Sequence, residues 1–188
     1  MKSLKLLLLF LVVVVMSGCV VRSLQPLFTE KDLVFKTELV GTWTQPDAKA
    51  EEYWQFEKGD ETSYKLIYKG EDGTAEFDVH LVKLKNNFFL DFLPTGLKEG
   101  NDFYRFHFIE SHSFARIWIE KDSFRMSVLN YDWFSKMIDN GKIKIAHEKV
   151  DDTIIVTAAT KDLQKILIKY ADDKEAFPEA SAWNRKKE

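Results

Sequence analysis

Between Gly41 and Leu129 the chain passes through eight strand-like segments whose connections are too short for anything but antiparallel pairing. The segments are Gly41–Gln45, Glu52–Glu57, Ser63–Lys69, Thr74–Leu84, Asn87–Phe92, Phe103–Glu110, Phe114–Glu120 and Ser123–Leu129, divided by turn-forming pairs such as Gly59-Asp60, Lys85-Asn86 and Lys121-Asp122. A parallel crossover needs about a dozen residues or more, so neighbours in sequence become neighbours in a meander. Closing such a meander on itself removes its exposed edges. The expected fold is therefore mainly β: an antiparallel up-and-down barrel or strongly curved sheet, with a two-sheet β-sandwich of the same strands as the alternative.

Two segments break the strand period. Asp132 to Asn140 reads as a short helix with Asp132 as N-cap, Trp133/Met137 and Phe134/Ile138 at i, i+4, and Gly141 at the left-handed C-terminal position. Thr160 to Ala171 reads as a second helix, with Leu163, Ile166, Leu167 and Tyr170 on one face. Between them Ile143–Lys149 and Thr153–Ala158 form one more hairpin, and the whole sheet is expected within residues 41–158. Several strands are apolar on both faces, Phe103–Glu110 and Phe114–Glu120 above all. A sheet with one wet face alternates more cleanly, so the outer face needs a cover. The two helices and residues 27–35 are available for it. With 188 residues the chain suits one domain, here 27–180, and residues 181–188 read as a frayed tail.

At the start of the first barrel strand stands Leu39-Val40-Gly41-Thr42-Trp43. It resembles the Gly-X-Trp signature of lipocalins, carried here by Gly41 and Trp43 and entered from a short helical turn. The downstream meander and the late helix lying against it fit the same pattern. The resemblance implies a calycin-type barrel, with Trp43 buried at its closed end and a cup for a small apolar molecule. It also implies an Arg stacked on Trp43, for which Arg105, Arg116 and Arg125 are the candidates.

The N-terminus points to where such a domain resides. Lys2 and Lys5 precede an unbroken apolar run from Leu6 to Met16, followed by Ser17, Gly18 and the sole cysteine, Cys19. A charged start, an apolar middle and small residues at the cut make a secretory signal peptide over residues 1–18. Eleven apolar residues fall short of the ~20 that a spanning helix needs. Met16-Ser17-Gly18-Cys19 resembles the lipobox of bacterial lipoproteins, with Met16 where Leu is usual. That resemblance implies a diacylglyceryl group on the Cys19 thiol, cleavage between Gly18 and Cys19, and often a further acyl (palmitate-type) chain on the new amino group. Residues 19–26 become a lipidated tether, and the partner it implies is the lipid bilayer. The location implied is the bacterial cell envelope, membrane-anchored, with Val20 favouring the periplasmic side of the outer membrane in a diderm.

Chemistry is less legible. No Gly-X-Ser-X-Gly elbow, His-Glu-X-X-His, phosphate loop or cysteine pair occurs, and lipidation consumes the only thiol, so no catalytic residue or cofactor is assigned. A net charge of −3 gives no basic field for nucleic acid. His107, Glu110 and His112 gather near one turn, but strand alternation sends His107 and Glu110 to opposite faces, and no metal site is assigned to them. Aromatic side chains are abundant, and Phe106, Phe108, Phe114 and Trp118 are the candidate lining of an apolar cavity. Two functional classes follow: a tethered carrier of a small apolar ligand, or a non-catalytic envelope interaction protein whose barrel is solid. Labelled palmitate is expected to enter the wild-type protein and not Cys19→Ser; equal labelling of both would refute lipidation at Cys19.

Overall fold

In the computed structural model, which describes residues 20–95, 101–151 and 153–187, eight strands close into an antiparallel barrel. The expected signal segment and Cys19, the residue expected to be lipidated, lie outside the described residues. A two-residue strand, β1 (Arg22–Ser23), precedes the barrel. The barrel strands are β2 (Gly41–Thr44), β3 (Tyr53–Lys58), β4 (Ser63–Gly70), β5 (Gly73–Leu84) and β6 (Asn87–Pro94). A one-turn helix α1 (Asp102–Arg105) leads to β7 (Ser113–Ile119) and β8 (Ser123–Val128). Then come helix α2 (Tyr131–Asp139), a hairpin of β9 (His147–Val150) and β10 (Thr153–Val156), helix α3 (Thr160–Lys169) and the last strand, β11 (Ser181–Arg185). The barrel order is β11-β2-β3-β4-β5-β6-β7-β8, with β8 paired to β11.

The meander thus closes into a barrel, and the sandwich alternative is excluded. Strand alternation sends Phe56, Leu66, Val79, Leu81, Leu90, Ile117, Phe124 and Met126 inward to one buried cluster. The opposite faces of β5, β6 and β7 put Val82, Leu84, Phe89 and Phe114 into a second cluster. Its cover is as expected: Trp133 and Phe134 of α2, Leu163 and Leu167 of α3, and Leu27 from the segment before the barrel. Asn130, not Asp132, caps α2, its side chain accepting the Trp133 N–H at 3.1 Å. Gly141 takes φ +66° after the helix, as the sequence predicts.

The Gly-X-Trp signature has a physical cause. The turn Thr37–Leu39 crosses the closed end of the barrel, with Leu39 and Trp43 fully buried. Trp43 Nε1 donates to the Leu39 carbonyl at 2.9 Å, and its ring meets Phe124 edge-on at 5.0 Å. The guanidinium of Arg185 lies 4.3 Å from the Trp43 ring and donates to the Val40 and Glu38 carbonyls at 2.9 and 2.7 Å. A side chain at position 41 would run into that guanidinium, and Gly41 also adopts φ +137°.

Five further expectations need correction. Residues 103–110 are not a strand: Asp102 opens a helical turn in which the Phe106 N–H reaches the Asp102 carbonyl at 3.1 Å, and the ladder runs directly from β6 to β7 with Phe92 opposite Ser113. The eighth strand comes instead from the expected frayed tail, where Trp183 points inward opposite Phe124. The arginine on the signature tryptophan is accordingly Arg185, not Arg105, Arg116 or Arg125. The hairpin β9–β10 stands outside the barrel, forming a three-stranded sheet with β1, which pairs in parallel with β10. That pairing takes up the expected tether: Val21 is fully buried and the Leu24 N–H bonds the Val156 carbonyl at 2.9 Å.

Emptying the Trp43 site is expected to cost ~3–5 kcal/mol in Trp43→Ala. Arg185→Met keeps the stem and is expected to lose about 2 kcal/mol with the cation–π contact and two charged hydrogen bonds. Urea unfolding of the variants checks both; full stability of Arg185→Met would show that closure does not depend on this contact.

Candidate functional site

The barrel's two ends differ. At the closed end, Phe35 stacks on Tyr64 at 4.7 Å, and the Tyr64 hydroxyl accepts the Lys36 N–H at 2.6 Å while donating to the Lys36 carbonyl at 3.1 Å. Phe56, Phe124 and Trp43 fill the space above them, with Phe56 and Phe124 at 6.3 Å. Phe56, Phe124, Trp43 and Tyr64 belong to one buried cluster, as close-packed interiors require.

At the other end an apolar cup of about 230 Å³ remains open. Its wall is formed by inward positions of consecutive strands: Trp54 on β3, Leu66 and Tyr68 on β4, Phe77 on β5, Phe92 on β6 and Met126 on β8. Trp54 lies across it, 4.6 Å from Trp183, 5.8 Å from Phe92 and 6.1 Å from Tyr68. Val20, Ser113 and Val128 form part of the rim. One polar group is out of balance here. The Nε1–H of Trp54 is buried and has no hydrogen-bond partner among the described residues. A buried donor left unpaired costs about 1–3 kcal/mol, which an acceptor reaching it would recover, and Trp54 borders both the cup and the recess behind it. Behind Trp54 a second recess of about 270 Å³ is polar, bordered by Glu52, Lys69, Glu71 and Asp72, with Lys49 and Glu71 paired at 2.8 Å across its edge. A wider depression of about 590 Å³ lies outside the barrel over Gly41, Thr42 and Gln55, but Arg185 and Lys186 beside it already donate to main-chain carbonyls.

The candidate lining residues fall elsewhere. Phe106 and Phe108 sit on the β6–β7 connection, exposed, because that stretch is not a strand. Phe114 faces the outer cluster and borders only the rim of the cup. Trp118 lies on the outer face between the guanidinium carbons of Arg116 at 4.6 Å and Arg125 at 5.5 Å. Gly41 and Trp43 belong to the closed end and do not line the cup, although Trp43 pairs across the ladder with Trp54. Gly18 and Cys19 lie outside the described residues. The residues that do line the cup are alternate members of four correctly read strands plus Trp54, and their alternation was the available signal.

The histidines near the β6–β7 connection separate. His107 Nδ1 bonds the Phe103 carbonyl at 2.8 Å, whereas His112 Nδ1 lies 2.6 Å from Oδ1 of Asp91. Asp91 is buried on the outer face of β6, and its Oδ2 accepts the Leu27 N–H at 2.6 Å. The carboxylate thus fastens the chain before the barrel to the β6–β7 connection. Among the described residues no three His, Cys, Asp or Glu side chains converge as a metal site. Comparisons with protein-family models, curated proteins and solved structures give no match for this chain.

Burial pushes the Tyr64 hydroxyl up to about 12, against the Lys36 main-chain hydrogen bond and with the Glu38 charge adding to the rise. An unfolded tyrosine ionises near 10, so between pH 10 and 12 the folded state binds the extra proton and stability falls as pH rises. Denaturant midpoints measured across that window are expected to decline in the wild type and to flatten in Tyr64→Phe; an equal slope in both would assign the loss to other groups.

Proposed function

We propose that the protein is a membrane-anchored lipoprotein of the cell envelope that shelters one small apolar group in the open end of its barrel. The observation that carries this reading is the apolar cup beside the unpaired Trp54 Nε1–H. The lipobox-like Met16-Ser17-Gly18-Cys19 supports the anchor, and the lipocalin-like signature Gly41-Thr42-Trp43 supports the cup. A volume of 230 Å³ lies below the ~300 Å³ at which drug-sized pockets begin. At ~30 Å³ for a water-sized group it takes roughly seven or eight methylenes. The ligand class that fits is therefore the end of a single acyl chain or a molecule of like size, with the indole N–H available to a carbonyl or carboxylate oxygen. Burying eight methylenes at ~0.8 kcal/mol each gives about 6 kcal/mol, a dissociation constant on the order of 10–100 µM.

A second reading, an envelope interaction protein with a solid barrel, draws on the filled closed half. Calorimetry on the mature chain held in amphipol separates the two. Decanoate is expected to bind at one equivalent with a negative heat-capacity change. Val128→Trp, at the half-exposed rim, is expected to block it without loss of stability. Absence of binding from hexanoate through dodecanoate would favour the solid barrel.

A further inference from the structure

The open end of the barrel carries a second apolar feature. The β6–β7 connection leaves beside Phe92 and returns at Ser113, both on the cup. Along its described part Phe103 is 77% exposed, Phe106 85% and Ile109 78%. Single exposed apolar residues are ordinary on a protein surface, but three large ones within seven positions of one connection are a concentration of the kind that marks an interaction site. The patch is held in shape locally. Phe103 and His107 meet edge-on at 5.0 Å, and His107 Nδ1 bonds the Phe103 carbonyl.

The start of the described chain lies at the same place. Val20 is 41% exposed and forms part of the cup's rim. Three residues on, Ser23 exchanges main-chain hydrogen bonds with His112 at 2.9 and 2.8 Å, which binds the foot of the connection to the foot of the chain. Cys19 immediately precedes Val20, so the thiol expected to carry lipid is one residue, roughly 3.5 Å of chain, from the open end. Residues 20–26 pack on the domain, so they leave no slack to hold the body away from the membrane.

From this convergence we infer that the open end of the barrel rests on the bilayer, with Phe103, Phe106 and Ile109 set into the boundary between headgroups and acyl chains. The surface is a second membrane contact beside the lipid on Cys19, and the cup opens onto lipid. An acyl chain then passes from bilayer to barrel without crossing water. The bilayer is the occupant because the anchor and the patch share one end; a protein partner or second copy would have no reason to coincide with Val20. The inference rests on the reading of Cys19 as the anchored residue. It does not require that the cup bind a ligand.

The test uses the full lipidated chain in vesicles of phosphatidylethanolamine and phosphatidylcholine. Phe106→Cys is labelled with an environment-sensitive nitrobenzoxadiazole group and quenched by lipids bearing spin labels at graded depths. Glu61→Cys, in the exposed β3–β4 turn at the closed end, is the reference. The label at 106 is expected to lie ~5–10 Å below the headgroup level and the label at 61 to remain unquenched. Equal quenching at the two positions, or none at 106, overturns the inference. Protection of position 106 from aqueous iodide without lipid quenching overturns it in favour of a protein-covered patch. A second equivalent of label, on Cys19, reports failure of the anchor reading separately from the behaviour of position 106.

Discussion

Closure of the barrel depends on the contact between Arg185 and Trp43. The ladder between β11 and β2 is short, with only Asn184 opposite Thr44 and Arg185 opposite Trp43. Two pairs cannot hold a seam that the other strands close with five to eight, except at the β2–β3 and β8–β11 steps beside it. The guanidinium supplies what the ladder lacks: it covers the indole face, donates to the Val40 and Glu38 carbonyls, and so ties the last strand to the turn that plugs the closed end. The Lys186 N–H adds one more main-chain bond, to the Thr42 carbonyl at 2.8 Å. Because a cation on an aromatic face gains most where water is excluded, the buried indole strengthens the contact. Gly41 is the residue that leaves room for it.

The rest of the architecture follows from a sheet that is apolar on both faces along β5, β6 and β7. Once the inner faces fill the barrel, the outer faces require a second layer, and helices α2 and α3 provide it with the β9–β10 hairpin beside them. The chain before the barrel joins the two layers. Thr160 of α3 donates to the Pro26 carbonyl at 2.8 Å, and Gln164 donates to the Leu27 carbonyl at 2.8 Å and to Asp32 at 2.9 Å. Asp91 draws the Leu27 N–H from the other side. Arg116 reaches from β7 to the Ala171 carbonyl just after α3, to Asn87 and to Asp172. Apart from the exposed contact with Asp172, these are buried or half-buried polar anchors at the edges of an apolar layer, and they fix where the helices sit in a way that apolar contact alone does not.

Much of this was legible because it is local. The turns at Gly59-Asp60, Lys85-Asn86 and Lys121-Asp122 stand where the sequence puts them, and the strands between them alternate as read. The failures share one cause. Phe103–Glu110 is aromatic and apolar enough for a strand, yet nothing in its own residues reveals that its place in the barrel is taken by a segment some eighty positions later. Ser181-Ala182-Trp183-Asn184-Arg185 is too short, and too near a charged terminus, to announce itself as that segment. Strand closure is a long-range event, and the residue that secures it, Arg185, carries no local mark. The cup was hidden for a different reason. Alternation shows which side chains point inward, but whether they leave space depends on the sum of their volumes at one height of the barrel, which a linear pattern does not encode.

The unequal ends of the barrel give this arrangement its functional direction. Trp43, Phe124, Phe56 and Tyr64 crowd the closed end because the crossing turn needs bulky partners and the Arg185 contact needs a dry ring. At the open end the described residues of the same circle of eight strands leave a cup walled by Trp54, Leu66, Tyr68 and Phe92. The segment before the barrel, from Val20 on, is directed to that end by two constraints unrelated to the cup: the parallel pairing of Arg22–Ser23 with β10 and the exchange of main-chain bonds between Ser23 and His112. The proposed carrier would need its cup and its exposed aromatic connection at the same end, since apolar surface left elsewhere would face water. Val20, Phe92 and Ser113 all border the cup, so the segment before the barrel and the β6–β7 connection, with its exposed Phe106, leave from that one end of the fold.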